Sequence, residues 1–539
     1  MKVTHPQRFL ALILLFIPVI AWSAARLNIV VIVGDDWGGP YASAYTGIYG
    51  RALPSDIVKT PNIDRIARNG VLFKNAYVNA PSCTPSRSSI FSGRYFFNTK
   101  GGAILGGTWD STIPTFPLLL RDAGYHIGRT YKTWSPGTPA NAPFGGVNYA
   151  YQQSGSSPNR FSTNVTGLMA QGLSFVQAKQ KMLNQVGGNF DAFLAARKPN
   201  QPFLYWFGPT NTHRSWVKGS GKALWGINPD TLKGKLRVFL PDNTEIRQDM
   251  ADYLGEIQAM DAYIGVLLKK LEAIGELNNT LIVATGDNGP GGFPHGKWNL
   301  YDFGVATPLV MWLPNSKGGR IVDDFTTLMD LAPTFLEVGG VTRPAKMNGT
   351  SLLNILKSPN SGQVDAKRTF AITGEERHVG MARERSLPYP ARALRTKNYL
   401  YIRNFAPERW PMGCPYRTLP TGNHVLFLDM DSSPTKDWIV INRTNPNTKR
   451  YYSWAFEKRS AEELYDLAKD PGQIKNVANN SAYAIVKAQL ANQLLTELQR
   501  VGDPRVTGTG QTFDLPPYTN LAPVACQDTI PLSWLPSGL

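Results

Sequence analysis

Two clusters of acidic and amide residues follow apolar runs that are typical of buried strands. Asp35 and Asp36 follow one such run, and Asp287 and Asn288 follow another. Three carboxylates and an amide at one edge of a sheet repel each other unless a cation lies between them, and oxygen ligands suit calcium or magnesium. Because Asp and Asn are also ordinary turn residues, either pair alone is a weak signal. Together the two pairs predict a divalent metal site.

A cysteine lies where a helix is expected to begin. Cys83 comes shortly before Pro85, which suits a first helical turn, and Arg87 follows four residues after the cysteine. The positive end of a helix favours an anionic nucleophile and a bound oxyanion, and Arg87 adds to this preference. The alternative is a small buried cysteine without a chemical role.

The segment Cys83-Thr84-Pro85-Ser86-Arg87 matches the Cys-x-Pro-x-Arg signature of the type I sulfatases, members of the alkaline phosphatase superfamily in which this cysteine becomes formylglycine (3-oxoalanine). Other segments resemble sulfatase motifs: 60–65, 91–95, 463–467 and 470–471. Two more look closest to the heparan N-sulfatase (sulfamidase) branch: 296–301 and 389–405. The resemblance spans roughly residues 27–500.

The resemblance implies roles for particular residues. The implied calcium ligands are Asp35, Asp36, Asp287, Asn288 and the modified Cys83. The implied catalytic residues are Cys83, Arg87, Lys132, His213 and Lys297. Arg87 and Lys132 would hold the formylglycine and the sulfate, and Lys297 would be the second lysine on the sulfate. His213 would protonate the leaving group after the hydrated aldehyde attacks sulfur, and elimination of sulfate would restore the aldehyde.

One position departs from the family pattern. Sulfatases commonly have Lys-x-His where this chain has Lys132-Thr133-Trp134, so the histidine that helps elimination is missing. His295, His126 or water is expected to take its place. Arg377 and His378, together with His295, are candidate substrate-binding residues, although a lone histidine is more often structural.

The amino-terminal segment 1–25 is typical of a secretory signal, because Lys2 and Arg8 precede an apolar run that ends in small residues. This run is shorter than the ~20 residues that a spanning helix needs, so we expect no membrane span and export to the periplasm or the medium. The net charge of +17 includes only two cations from this segment, and a basic exported chain suits a polyanionic partner.

Basic residues are interleaved with aromatic residues in the segment 377–417. Nucleic acid would suit such a cluster, but no nucleic-acid motif accompanies it and export is expected, so we predict a sulfated or carboxylated glycan and no nucleic acid. The alternative is a solvated basic face. Cys414 and Cys526 could form a disulfide in an oxidising compartment, which would leave Cys83 unpaired.

Four short apolar runs are predicted strands: 27–33, 203–207, 281–285 and 309–312. Apolar residues at spacings of three and four predict a long helix over 244–277, and a last helix is expected over 483–501. Strands separated by helices indicate an α/β fold with a large, mostly parallel sheet flanked by helices, and the resemblance to sulfatases implies the alkaline phosphatase-like form of this fold. The expected units are a signal peptide (1–25), a catalytic α/β domain (26–370), a smaller α+β domain (371–505) and a tail (506–539).

The sequence therefore predicts an exported, calcium-dependent sulfatase that acts on a sulfated polysaccharide or its oligosaccharides. Such an enzyme needs a formylglycine-generating enzyme or an anaerobic maturase as a partner during maturation. One alternative is a phosphomonoester or phosphonate esterase of the same superfamily. The other is an inactive, sulfated-glycan-binding relative, which Trp134 in place of histidine suggests.

Overall fold

The structure is a computed structural model, and it describes residues 1–3, 26–49, 53–419, 421–520 and 526–531. The predicted signal segment 1–25 falls, apart from its first three residues, outside the described residues. Within the described ranges, no helix combines the length and the apolar character needed to cross a membrane.

A seven-stranded sheet forms the centre of the molecule. Its strands are β1 (Asn28–Gly34), β2 (Val71–Tyr77), β3 (His126–Tyr131), β4 (Phe203–Gly208), β5 (Thr280–Gly286), β6 (Leu309–Trp312) and β7 (Arg320–Thr327). They lie in the order β3-β4-β1-β5-β6-β2-β7, and only β6 runs antiparallel to its neighbours. The prediction of a large, mostly parallel sheet is confirmed, and the four predicted strands agree with β1, β4, β5 and β6 to within one residue at each end.

Both faces of this sheet are covered. Successive side chains of a strand point to opposite faces, so Ile29, Val31 and Val33 enter one apolar core while Val30 and Ile32 enter another. The helices are α1 (Pro61–Asn69), α2 (Cys83–Ser92), α3 (Phe116–Asp122), α4 (Phe161–Ala170), α5 (Phe175–Ala195), α6 (Ser220–Trp225), α7 (Thr244–Ala273), α8 (Asp302–Val305), α9 (Leu331–Val338), α10 (Leu353–Lys357), α11 (Pro434–Ile441), α12 (Lys449–Phe456) and α13 (Ala484–Arg500).

The long helix α7 ends earlier than predicted. It begins at Thr244 as expected but ends at Ala273 rather than at 277, because Gly275 adopts a left-handed conformation with φ of 72°. Leu277 continues the apolar pattern beyond the helix, since it is buried in the turn that leads to β5. An apolar spacing alone therefore does not mark the end of this helix.

The C-terminal region contains a second, four-stranded sheet, which confirms the predicted smaller α+β unit. Its strands are β8 (Phe370–Glu375), β9 (Ala391–Thr396), β10 (Tyr399–Asn404) and, after the short pair β11 (Arg417–Thr418) and β12 (His424–Val425), β13 (Glu462–Asp466). All neighbours are antiparallel in the order β13-β10-β9-β8, and α13 packs on β9 and β10. Cys414 and Cys526 form a disulfide with their Cα atoms 5.4 Å apart. Because β8 begins at Phe370, we propose that the catalytic domain and the smaller domain meet near residue 370, as the sequence predicts.

Candidate active site

The register of two central strands brings the acidic and amide residues together. β1 and β5 pair in parallel from Asn28 opposite Thr280 to Gly34 opposite Gly286, so the residues after both strands emerge side by side. The Asp36 amide donates to Asp287 Oδ1 at 2.8 Å, and Asn288 Nδ2 donates to Asp36 Oδ1 at 2.7 Å. These side chains and that of Asp35 are buried.

The two loops that follow β1 and β5 can cross only because both carry glycine at the crossing. A Cβ atom added to Gly38 would lie 2.2 Å from the Cα atom of Gly289, which is far closer than two carbon atoms can approach. The backbones therefore touch at this point, and no side chain separates the two ligand-bearing turns.

Cys83 is the first residue of α2 and faces the acidic cluster. Its Sγ lies 3.5 Å from Asp35 Oδ1, and ligand atoms of Asp35, Cys83 and Asp287 all lie within 4.8 Å of one another. One turn later, Arg87 Nε donates to Asp287 Oδ2 at 2.6 Å, and its Nη1 donates to the Thr133 carbonyl at 2.8 Å. The start of α2 is thus fixed against the end of β5.

The Cys83 thiol is not the anionic sulfur that a helix end alone would favour. Burial raises its pKa to about 12, although Lys132 and Lys297 act in the opposite direction. Burial outweighs the two ammonium groups because the sulfur is removed from water on all sides. An unmodified Cys83 is therefore a neutral thiol at physiological pH and a poor nucleophile.

Two lysines approach the cluster from different elements. Lys132, just after β3, places Nζ 2.8 Å from Asp35 Oδ1, while Lys297 places Nζ 3.0 Å from Asp36 Oδ1. Burial alone would raise the pKa of Asp35, but Lys132, His213, Arg87 and Lys297 together hold it well below its ordinary value. Asp35 is therefore ionised and is paired with the Lys132 ammonium group.

His213 lies at the opening of the site. Its Nδ1 contacts the Arg214 carbonyl at 2.6 Å, so this nitrogen carries a hydrogen and Nε2 faces Asp36 Oδ2 at 3.8 Å. The Arg214 guanidinium is held in turn by both carboxylate oxygens of Asp249, at 2.7 and 2.8 Å. A cavity of about 360 Å³ opens here, and its lining includes Asp35, Lys132, Asn159, Arg160, Thr210, His213, Arg214 and Ser215.

Of the other predicted site residues, only His378 lies beside the nucleophile. Its Nδ1 is 2.8 Å from Ser82 Oγ, directly before Cys83, and its ring stacks on Trp298 with centroids 5.3 Å apart. Burial, followed by the nearby charge of Lys297, lowers the pKa of His378 to about 3, so the imidazole is neutral.

The expected roles of Arg377, His295 and His126 do not agree with their positions. Arg377 Nη1 donates to the Tyr518 carbonyl of the C-terminal segment at 2.5 Å, and Arg377 does not line the cavity. His295 is stacked between the rings of Phe239 and Tyr301, whose centroids lie 4.4 and 4.0 Å from that of the imidazole. It does not line the cavity either.

His126 begins β3, whereas Lys132 follows its end. A six-residue strand spans ~20 Å, so His126 lies near the opposite edge of the sheet from Lys132. Its ring instead stacks on Phe193, with centroids 4.7 Å apart. His126 therefore cannot replace the missing histidine.

Trp134 points into the protein core and does not line the cavity. Its fully buried ring packs edge to face on Trp109 with centroids 5.4 Å apart, and its Nε1 donates to the Pro139 carbonyl at 3.2 Å. The side chain at this position therefore serves packing.

Asp431 is a site residue that the sequence did not indicate. It lies between β12 and α11, and its carboxylate approaches Lys297 Nζ at 3.7 Å. Ligand atoms of Asp36, His213 and Asp431 all lie within 4.8 Å of one another. No local pattern marks this aspartate, because it resembles a loop residue before the N-cap Ser433 of α11.

The residues present fit a hard divalent cation. Among the described residues, Asn288 Oδ1 is a buried acceptor without a hydrogen-bond partner, and it belongs to the same turn as Asp287. Burial, the largest cause, raises the pKa of Asp287 even though Arg87 lies beside it. Unpaired oxygens and an excess of buried carboxylate are what a bound Ca²⁺ or Mg²⁺ would satisfy.

Two models of known protein families match this chain. Residues 27–341 match the family model described as Sulfatase, which covers more than half of the chain. Residues 292–406 match the model described as N-sulphoglucosamine sulphohydrolase, C-terminal. The chain belongs to the sulfatase family and is a sulfuric ester hydrolase.

Two curated relatives are similar over most of the chain. An ulvan-active sulfatase of Formosa agariphila is 25% identical over 495 residues, which are 89% of this chain and 76% of that protein. The human N-sulphoglucosamine sulphohydrolase is 25% identical over 507 residues, which are 89% of this chain and 91% of that protein.

Solved structures share the fold. A protein in complex with its substrate D-glucosamine-2-N,6-O-disulfate has a TM-score of 0.59 at 20% identity, covering 89% of this chain and 98% of that one. The phosphonate monoester hydrolase of Agrobacterium radiobacter has a TM-score of 0.58 at 18% identity, covering 88% of this chain and 96% of that one. The fold by itself therefore does not separate sulfate from phosphonate chemistry.

Proposed function

We propose that this protein is an exported sulfatase that removes sulfate groups from a sulfated polysaccharide or its oligosaccharides, with formylglycine at position 83 and a bound Ca²⁺. One observation carries the proposal: Cys83 Sγ lies within 4.8 Å of ligand atoms of Asp35 and Asp287. Lys132 and Lys297 lie beside these carboxylates. A nucleophile, a cation site and anion-binding lysines thus meet at one point.

The divalent ion would be held by Asp35, Asp36, Asp287, Asn288 and the modified residue 83. When bound, it supplies positive charge to the oxygens of the sulfate group. The modification at position 83 would supply the attacking oxygen and, because a hydrated aldehyde carries two oxygens, a route for releasing the sulfate afterwards.

The remaining residues bind and move protons. Lys132 and Lys297 hold the nonbridging sulfate oxygens, where negative charge increases in the transition state. His213 donates a proton from Nε2 to the departing oxygen or nitrogen, since its Nδ1 is held by the Arg214 carbonyl. Arg214 positions this ring through its paired contacts with Asp249.

Several observations support a glycan substrate and export. The curated relatives are named for ulvan and for N-sulphoglucosamine, and the chain carries a net charge of +17. The disulfide between Cys414 and Cys526 is typical of an oxidising compartment, such as the periplasm or the medium. Conversion of Cys83 requires a formylglycine-generating enzyme or an anaerobic maturase in the host.

The test is sulfate release from fragments of heparan, ulvan, carrageenan and fucan, alongside hydrolysis of an aryl sulfate and the matching aryl phosphate. We expect release from at least one glycan and a clear preference for the aryl sulfate. A strong preference for phosphate would establish the esterase alternative, and binding without release from any substrate would establish the inactive relative.

Peptide mass spectrometry of the same preparation tests the nucleophile. We expect a mass at residue 83 that corresponds to the aldehyde or its hydrate. An active preparation in which residue 83 is entirely cysteine would contradict the mechanism.

A further inference from the structure

Arg160 is a cation at the cavity that pairs with no acidic group among the described residues. It is exposed and lines the same cavity as Lys132 and His213. Within the described ranges, its guanidinium forms neither a hydrogen bond nor an ion pair. By contrast, Lys132 is paired with Asp35, and Arg214 is paired with Asp249. Arg160 therefore keeps its hydrogen-bond donors for a group from outside the protein.

Asp431, unlike Arg160, is negatively charged, and it lies beside a lysine that is proposed to bind the sulfate group. Its carboxylate lies 3.7 Å from Lys297 Nζ, and its side chain is 29% exposed. Its Oδ2 atom is buried and has no hydrogen-bond partner among the described residues. A carboxylate here repels any second anionic group of a bound substrate, but it accepts hydrogen bonds from hydroxyl or amino groups.

A second metal ion does not explain the cluster of Asp431, Asp36 and His213. The Lys297 ammonium lies 3.0 Å from Asp36 and 3.7 Å from Asp431, so a cation already stands between the two carboxylates. The Asp431 side chain is 29% exposed, so the part of it other than the buried Oδ2 atom is accessible from outside, as a contact to substrate requires.

We propose that Arg160 and Asp431 are specificity-determining residues with opposite preferences. Arg160 binds a second anionic group of the substrate, a carboxylate or a further sulfate. Asp431 accepts a hydrogen bond from a hydroxyl or amino group next to the scissile sulfate and excludes a second anion from that position. This proposal rests on the proposed glycan sulfatase function.

The test for Arg160 compares kcat/KM on a sulfated disaccharide that carries a uronate carboxylate with kcat/KM on its carboxyl-reduced, otherwise identical form. A third arm uses a disulfated sugar without the carboxylate. In Arg160→Gln, the preference for the doubly anionic substrates is expected to fall about tenfold or more, and Arg160→Lys should restore part of it. A fall with the uronate pair alone identifies the carboxylate, and a fall with the disulfated sugar alone identifies the sulfate.

The control is Arg68→Gln, which removes the same charge from an exposed residue in the last turn of α1. α1 leads into the amino end of β2, so Arg68 lies at the sheet edge opposite the site. Equal preferences in Arg160→Gln, Arg68→Gln and the wild type would overturn the role of Arg160.

The test for Asp431 compares a substrate that has a hydroxyl next to the scissile sulfate with one that has a second sulfate there. In Asp431→Asn, discrimination against the second sulfate is expected to fall about tenfold, because the repulsive charge is lost. Asp122→Asn, an exposed change at the end of α3, should keep the wild-type discrimination. Unchanged discrimination in a folded, active Asp431→Asn would overturn this half of the proposal.

Failure of these proposals is distinguishable from failure of the proposed function. If the wild type releases no sulfate from any glycan, the function itself is wrong. If it releases sulfate but its preferences do not depend on Arg160 and Asp431, only the specificity roles are wrong. Thermal melts of each variant confirm that the compared proteins are folded.

Discussion

Arg87 Nε and Asp287 Oδ2 lie 2.6 Å apart, and both side chains are fully buried. This ion pair joins the second turn of α2 to the end of β5, and so it fixes the distance between Cys83 and the acidic cluster. Burial still raises the pKa of Asp287, because one guanidinium does not compensate for this carboxylate and its neighbour Asp35. The cluster is therefore organised by Arg87, but Asp287 itself remains short of compensating positive charge.

Replacing Arg87 should reduce both stability and activity. In Arg87→Gln, Asp287 loses its charged partner, and breaking a buried pair in this way costs about 3–5 kcal/mol. We expect urea unfolding to show this loss in the free energy of unfolding, and added calcium to recover part of it. The variant should release no sulfate. Arg320→Gln is the control, since that buried arginine donates only to backbone carbonyls. It should lower stability without changing the response to calcium.

Divalent ions should stabilise the protein through Asn288. Added Ca²⁺ is expected to raise the Tm of the wild type, because a ligand that binds only the folded state stabilises it by mass action, and a chelator should reverse the rise. Asn288→Ala removes the free amide oxygen and should greatly reduce this response. Asn189→Ala, a buried amide on α5, should lower the Tm and yet keep the full response. An equal response in Asn288→Ala would remove that residue from the site.

Lys297 should be needed for turnover. Lys297→Ala is expected to lower kcat by about 10²–10³-fold, the usual effect of removing one group that stabilises charge in a transition state. Because the lysine is buried between Asp36 and Asp431, we also expect a loss of stability. Lys222→Ala, an exposed change on α6, provides the baseline for both measurements. Sulfate release at the wild-type rate would exclude a catalytic role.

Restoring the family histidine at position 134 should not improve catalysis. Trp134→His leaves a void beside Trp109, and loss of a large buried aromatic costs about 3 kcal/mol. The new imidazole would extend toward the core, so sulfate release should not rise. His378→Gln is expected to lower it, because His378 is the histidine that contacts Ser82 beside the nucleophile. Faster turnover in Trp134→His would show that the loop can repack toward the cavity.

Glu256 predicts a pH dependence of stability. Burial raises its pKa to about 7, although Ser162 and Asn211 donate hydrogen bonds to it. A carboxyl group with a raised folded-state pKa stabilises the fold below its ordinary pKa, and this contribution is lost as the pH rises through 7. Between pH 5 and 8, the wild type should therefore lose about 2 kcal/mol relative to Glu256→Gln.

Denaturant unfolding at the two pH values measures this loss. The exposed Glu337 offers the control Glu337→Gln, whose difference from the wild type should stay constant over the same range. A constant difference for Glu256→Gln as well would show that Glu256 ionises normally.

The meeting of the acidic and amide residues could be predicted from the sequence, because two apolar strands largely determine it. β1 and β5 are buried on both faces, so their positions follow from the apolar runs, and the residues after them must meet at one edge. The direction of β6 does not follow in this way. It has only four residues, and the only helix between β5 and β6 is the short α8. That connection permits an antiparallel neighbour.

Residues that reach the site from distant loops could not be predicted. Asp431 joins Lys297 through the packing of the C-terminal region, and nothing in its immediate surroundings differs from an ordinary turn. His295 shows the opposite situation, in which a residue is near the site in sequence but its side chain packs elsewhere. It is close in sequence to Lys297, but its left-handed backbone, with φ of 58°, accompanies a ring that packs between Phe239 and Tyr301.

The burial of Cys83 also constrains the timing of its maturation. The residue is 2% exposed, so the folded protein cannot insert this side chain into the active site of another enzyme. An enzyme that oxidises it must act on an extended chain, before β1, β5 and α2 assemble. The proposed conversion of Cys83 would therefore precede folding, whereas the bond between Cys414 and Cys526 joins residues 112 positions apart that the fold brings together.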